Sequence, residues 1–501
     1  MRDIEEAMVA NRTSENAALM DTKELRGYVE EVLMTMPIFD MHTHLFAPEF
    51  TELNLWGIDE LLTYHYLVAE LFRSSAITPT QFWSLTKSVQ ADLIWKTLFV
   101  EQTPLSEATR GVVTVLTSLG LDARMKDLRI AREFFREQRA EDYLQRVMNL
   151  ARVSDIVMTN DPFDTKEAFV WQRTTEIDRR FHAALRLDRM LNEWTDAALQ
   201  LEGAGYKAKA DLSGDSIKEA RRFLDDWISR MKPLYMAVSL PDDFAFPERS
   251  VRHKLMTEVV LPTCREHDLP FALMIGVRRG VNPALRLAGD GLGQADVHAV
   301  ERLCAEHPDN RFFVTMLARE NQHGLCVAAR KFSNLMIFGC WWFVNNPSII
   351  AEMTRERIEL LGTSFIPQHS DARVFDQLVY KWQHSRRIIA DALNESYQSL
   401  LTSGWTATRA EVERDVEKLF SGNCSRDARS ARSSASPGCL AQSAGCSLPP
   451  PSATCCKRQA VTCLCLSSPD SRISPRCSSY IFSRRASHPR TSRRTWYQHD
   501  D

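Results

Sequence analysis

Across 501 residues the chain sets 62 Lys and Arg against 65 Asp and Glu, a net charge of −3, with 44% hydrophobic and 25% charged residues. This balance fits a globular protein and gives no reason to expect nucleic acid or an anionic membrane as partner. The length suits one large α/β barrel with insertions, or two to three ordinary domains. Asp3, Glu5, Glu6 and Glu15 replace the basic-then-apolar start of a leader, and no apolar run reaches membrane-spanning length, so the cytoplasm is the expected location.

Residues 1–35 read as an N-terminal helical segment, with Thr22 ahead of Leu25, Val29, Val32 and Leu33 at helical spacing. Next comes Phe39-Asp40-Met41-His42-Thr43-His44-Leu45, a strand whose end carries two imidazoles. Side chains two apart on a strand share a face, so His42 and His44 project together and can grip one cation. From about 50 to 150 the pattern is helical throughout, including Tyr64-His65-Tyr66, and is too long for a loop. We read it as a helical insertion after strand 1.

Beyond it, short apolar strands alternate with amphipathic helices. They are Asp155–Asn160, Ala183–Asp188, Leu234–Ser239, Phe271–Val277, Arg311–Met316, Leu335–Trp341 and Ser364–Pro367. With the first strand they make eight, which predicts a (β/α)8 TIM-type barrel over 36–423 with its chemistry on the strand C-terminal ends. Those ends are polar: His42 and His44, Asn160 and Asp161, Arg186 and Asp188, Arg278 and Arg279, Asp371 and Arg373. His42, His44 and Asp371 suit a divalent metal, Zn²⁺ by preference, because two nitrogens and one carboxylate leave coordination positions open.

Only four cysteines precede residue 424, whereas eight crowd into the remainder. The 424–501 tail is rich in Ser, Arg, Pro and Cys and has no Glu. It reads as a disordered or out-of-frame tail; the helix Val412–Phe420 stops without a linker signature, which favours the second reading.

Several stretches carry a family resemblance. These are Phe39–His44, Tyr64-His65-Tyr66, Thr159–Asp164, Arg186-Leu187-Asp188, Phe338-Gly339-Cys340-Trp341-Trp342-Phe343, and Ser370-Asp371-Ala372-Arg373 followed by Trp382 and Arg386-Arg387. From about 35 to 423 the chain resembles the uronate isomerase (glucuronate isomerase) family of the amidohydrolase superfamily of metal-dependent barrels. The resemblance implies an aldose–ketose isomerase acting on a hexuronate through an enediol(ate). It assigns Asp371, Arg373, Tyr66 and His65 to catalysis, and His42, His44 and Asp371 to the metal. For a small-molecule sugar acid it implies Arg186 as carboxylate clamp, Trp382 as pocket wall and Arg278 as a further substrate contact. Assembly into a homo-oligomer is left open. The alternatives are a hydrolase or decarboxylase on the same barrel, or a catalytically decayed barrel. The fifth strand departs from the family pattern: Met274 stands where the family usually has His, and a thioether neither donates nor accepts a proton at neutral pH.

Overall fold

Short apolar runs separated by helices build one curled sheet in the computed structural model, which describes residues 22–174 and 176–423. Residues 1–21 of the expected N-terminal segment, and the whole 424–501 tail with its eight cysteines, lie outside the described residues. The sheet contains β1 (Ile38–Thr43), β2 (Val153–Asn160), β3 (Phe181–Arg186), β4 (Met236–Pro241), β5 (Phe271–Arg278), β6 (Gly291–Leu292), β7 (Phe312–Met316) and β8 (Leu335–Ile337). Its order is β1-β2-β3-β4-β5-β7-β8, every pair on this path parallel, with β6 added antiparallel to β5. None of the described helices is long and apolar enough to cross a membrane.

One expected element takes a different form. Ser364–Pro367 is not a strand: it meets the sheet through a single bridge, Phe338↔Ile366. Pro367 has no N–H to continue a ladder, and the Cys340 amide donates to the Gln368 side chain at 3.0 Å instead of to backbone. The ring nonetheless closes. Ile366 N donates to Ile337 O (3.0 Å), Gly339 N to Ile366 O (2.8 Å), Asp371 N to His42 O (3.1 Å) and His44 N to Ala372 O (2.7 Å). The last two bonds join the end of β1 to a segment more than 300 residues away, and they set the metal-ligating residues side by side. β6, a two-residue pairing absent from the sequence reading, extends the C-terminal end of β5.

The barrel interior is filled by Met41, Val157, Ala184, Tyr235, Ala237, Met274, Phe313, Phe338 and Ile366. Met274 is 1% exposed among these side chains, so the fifth strand contributes packing at that point. The 50–150 block folds as a series of short helices, the longest being Glu107–Leu119 and Ala140–Ala151. A 26-residue helix, Gln377–Thr402, packs across it. Buried Arg386 on this helix donates to the carbonyls of Met36 (2.8 Å) and Arg152 (3.2 Å), and to that of Leu33, tying three chain segments to the entry of the barrel.

Candidate metal centre and active site

His42 and His44 leave the end of β1 with their rings 5.5 Å apart and nearly perpendicular. Asp371 Oδ1 lies 3.7 Å from His42 Nε2 and 3.3 Å from His44 Nε2. One ligand atom from each of the three residues fits within 4.8 Å of the others, the one such grouping of metal-ligating side chains among the described residues. Burial disfavours the imidazolium forms, holding His42 well below its ordinary range and His44 at about 4. For Asp371 burial acts upward, but the hydrogen bond and charge of His44, with His42 and His369, outweigh it and keep the carboxylate ionised. Two neutral imidazoles and one carboxylate are the protonation states a divalent cation requires. His42 Nε2 is also buried without a hydrogen-bond partner, which in a native interior calls for a ligand.

Asp371 adopts φ 51°, a left-handed conformation that Asp tolerates better than most residues at a cost of about 1 kcal/mol. Its backbone is held there by the bond to His42 O. Directly before it, Ser370 N donates to Asp40 Oδ1 (3.0 Å), and Trp382 Nε1 donates to Asp40 Oδ2 (2.8 Å). Asp40 is fully buried, and burial raises it to about 6 against these hydrogen bonds. Trp382 therefore braces the strand that carries the histidines, with Phe420 beside it at 6.2 Å.

On a regular helix His65 and Tyr66 would point about 100° apart. The structure places them where the regularity breaks: helix Ile58–Leu62 ends, Tyr64 is extended (φ −64°, ψ 142°), and a new helix begins at His65. The three rings then cluster, Tyr64–His65 at 4.1 Å, His65–Tyr66 at 4.5 Å and Tyr64–Tyr66 at 5.0 Å. Burial holds His65 neutral at about 3 and raises both phenols, while the charges of Asp371 and Arg373 act on all three. The hydroxyls of Tyr64 and Tyr66 and His65 Nε2 are buried without partners. Tyr64 thus joins the site beside the two expected residues. Trp342, at φ 46°, meets His65 edge-on at 5.8 Å and stacks on Phe343 at 4.6 Å.

The cations divide by their partners. Arg186 is engaged by Asp188 at both Nε (3.0 Å) and Nη2 (2.7 Å), with Ser239 Oγ at 3.3 Å from Nη2. Arg278 is 57% exposed at the end of β5 and faces Asp242 at 3.8 Å; no contact brings it to the metal-ligating residues. Arg373 forms no ion pair with Asp371, whose partners are the two histidines. Its backbone is fixed instead, N donating to Gln377 Oε1 at 2.8 Å. Lys381, which the sequence reading passed over, is 4% exposed and lies over the rings of Tyr66 (5.5 Å) and Tyr380 (5.8 Å).

His369 is a further residue that only the structure reveals. It is fully buried, both ring nitrogens lack partners, and it packs on His42 (5.0 Å) and Phe338 (5.5 Å). Gly339 makes room for it: a Cβ there would stand 1.7 Å from His369 Cδ2. Cys340, adjacent in the same motif, is buried with its thiol pushed up by burial, so it is not an activated thiolate.

Comparison with solved structures gives an uronate isomerase from Bacillus halodurans C-125 at 53% identity, covering 82% of this chain and 98% of that one with a TM-score of 0.81. A glucuronate isomerase from Caulobacter crescentus matches at 13% identity (83% and 95% covered, TM-score 0.66), and an uronate isomerase from Thermotoga maritima at 15% (80% and 96%, TM-score 0.64). The latter two support the fold alone. No family model and no curated protein matches the chain.

Proposed function

The chain belongs to the uronate isomerase family, and from that premise we propose that it interconverts an aldo- and a keto-hexuronate, such as D-glucuronate and D-fructuronate, through an enediol(ate). The observation that carries the anionic substrate is a charge imbalance. Among the described residues Arg373 forms no ion pair with a carboxylate, and Asp371, the carboxylate between the histidines, is committed to ligation. An acidic sugar supplies the missing negative charge.

His42, His44 and Asp371 would hold a divalent ion, Zn²⁺ by ligand type. When bound, such an ion polarises a substrate oxygen. The remaining chemistry belongs to the chain. Asp371 presents Oδ1 to the histidines, which leaves Oδ2 to accept a substrate proton. Tyr66, kept neutral by burial, is a donor to an enediol oxygen and a carrier for the returning proton. Arg373, two residues after Asp371, serves to stabilise developing enediolate charge, and His65 Nε2, buried without a partner, serves a sugar hydroxyl. The aromatic wall of Trp342, Tyr64 and Tyr66 shields the intermediate from water.

A panel of hexuronates incubated with the purified protein in D₂O tests this. Aldose–ketose conversion with deuterium at the carbon beside the carbonyl is the expected result. Hydrolysis or decarboxylation products without exchange would replace it with the alternative barrel chemistries.

A further inference from the structure

The reacting groups sit under a closed surface. His42 and Asp371 are buried, and the hydroxyls of Tyr64 and Tyr66 and His65 Nε2 present almost no surface to solvent. A sugar acid must therefore enter and leave through an element that moves. The helical insertion is pinned from within: Phe82 of helix Pro79–Trp83 is fully buried against Phe72 at 5.3 Å, and Leu67 and Leu71 of helix His65–Ser74 lie in the main core. The excursion from Arg279 to Asp290, between β5 and β6, is built differently. From Arg279 to Ala288 no residue is buried, and Val281 and Leu287 stand more than half exposed, so lifting it uncovers little apolar surface. Its neck is nevertheless sealed. Asp290 accepts from Gly280 N at 2.8 Å and from Arg279 Nη1 at 2.5 Å, and Asn282 N donates to Gly289 O at 2.9 Å. The excursion is thus one stiff piece carried on the two-residue pairing of β6 with β5.

The far end of this strap is held by Trp83. The indole Nε1 donates to Ala284 O at 2.9 Å, and the Arg286 guanidinium lies 4.6 Å over the ring. Arg286 holds φ 53° and ψ −129° there, a region that a residue other than glycine occupies only under constraint. At the near end the Arg279 guanidinium lies 5.8 Å over Trp342, whose own ring meets His65, and between the two ends the strap packs on helix His65–Ser74. It therefore runs from the rim of β5 to the insertion across the helix that brings in His65 and Tyr66. We propose that Arg279–Asp290 is a gate. Latched on Trp83 it closes the site, and released from Trp83 it swings on the β5–β6 stem to admit substrate and let product leave. The inference concerns access to the site, so it stands or falls independently of which sugar acid is turned over.

The test loosens the latch in the full chain. Trp83→Phe keeps an aromatic ring and removes the N–H; Arg286→Gln keeps a polar side chain and removes the charge. Each weak contact shifts an equilibrium by about 2- to 10-fold, so the double variant should raise the open population by about 5- to 50-fold. The probe is diethyl pyrocarbonate, which acylates accessible neutral imidazoles, with each histidine followed by peptide mass spectrometry. Where closing is fast, the rate at a covered histidine follows the open population. His65 is expected to react slowly in the parent and about 5- to 50-fold faster in the double variant, with the single variants between. Exposed His323 and His369 of the barrel interior should keep their parent rates. An unchanged His65 rate overturns the gate, and so does a parent in which His65 reacts as fast as His323. Joint acceleration of His65 and His369 with a lowered Tm would show a loosened fold and would overturn it too. Arg286→Gln alone, altered only at an exposed side chain, keeps the comparison valid if the Trp83 change disturbs folding.

Discussion

Replacing Gly339 by Ala tests whether the barrel seam and the metal centre are one packed unit. The position has φ 66°, and its Cβ would stand 1.7 Å from His369 Cδ2 and 2.3 Å from Nε2. His369 cannot simply swing away, because it is fully buried between the rings of His42 and Phe338. Gly339 itself is pinned, its N donating to Ile366 O at 2.8 Å and its carbonyl accepting from Arg357 Nη1 at 3.0 Å. A left-handed alanine costs about 1–2 kcal/mol, and forcing a methyl into a filled core adds about 1–3 kcal/mol. Gly120→Ala isolates the first cost, since Gly120 caps its helix at φ 82°, ψ 18° with nothing within 4 Å of its Cβ position. Urea unfolding of the metal-free variants should therefore show Gly339→Ala weaker than Gly120→Ala by about 1–3 kcal/mol. Displacement of His42 by the shifted His369 should also lower metal affinity in Gly339→Ala and leave it unchanged in Gly120→Ala. Equal destabilisation of the two, with equal metal affinity, would refute the argument that His369 couples Gly339 to the metal-ligating histidines.

Asp371→Asn removes the anionic ligand, so metal analysis should fall from about one divalent ion per chain towards zero; full retention would discard the proposed ligand set. His44 and His369, both held at about 4 by burial, bind fewer protons folded than unfolded between that value and about 6.5. Their stabilising contribution is therefore complete above about pH 6.5 and falls by about 3 kcal/mol each as pH drops to about 4. The urea midpoint of metal-free protein should decline over that window, and a flat profile would contradict the burial argument. Gly111→Ala improves helix propensity by about 1 kcal/mol but collides with Tyr380, so Tm should fall. Gly27→Ala, in helix Thr22–Thr35 with nothing within 4 Å, should raise it.

What was legible in the sequence is what is local in the chain. The period of two along β1 places His42 and His44 on one face, and alternation of apolar strands with helices announces the barrel. Arg186 and Asp188, two apart, are near enough in the chain for their ion pair to be foreseen. The partners that were missed are set by ring closure. His369 meets Gly339 and His42 only because the seam brings segments 30 and more than 300 residues apart together, and Pro367 disguises that seam by breaking the last strand down to one bridge.

The helix Gln377–Thr402 shows why orientation was the harder part. Lys381 and Trp382 are adjacent, hence about 100° apart around the axis, so at most one can face the pocket. The sequence leaves Trp382 open between pocket wall and core, and a lysine on a helix is normally solvated. The structure buries both. Asp40, buried beneath the ligand-bearing end of β1, takes the indole N–H at 2.8 Å, because a buried carboxylate must be hydrogen-bonded. With Trp382 turned towards Asp40, helical geometry carries Lys381 to the face that meets Tyr66 and Tyr380. The requirement that turns Lys381 towards Tyr66 thus originates one layer below, in the buried carboxylate of Asp40.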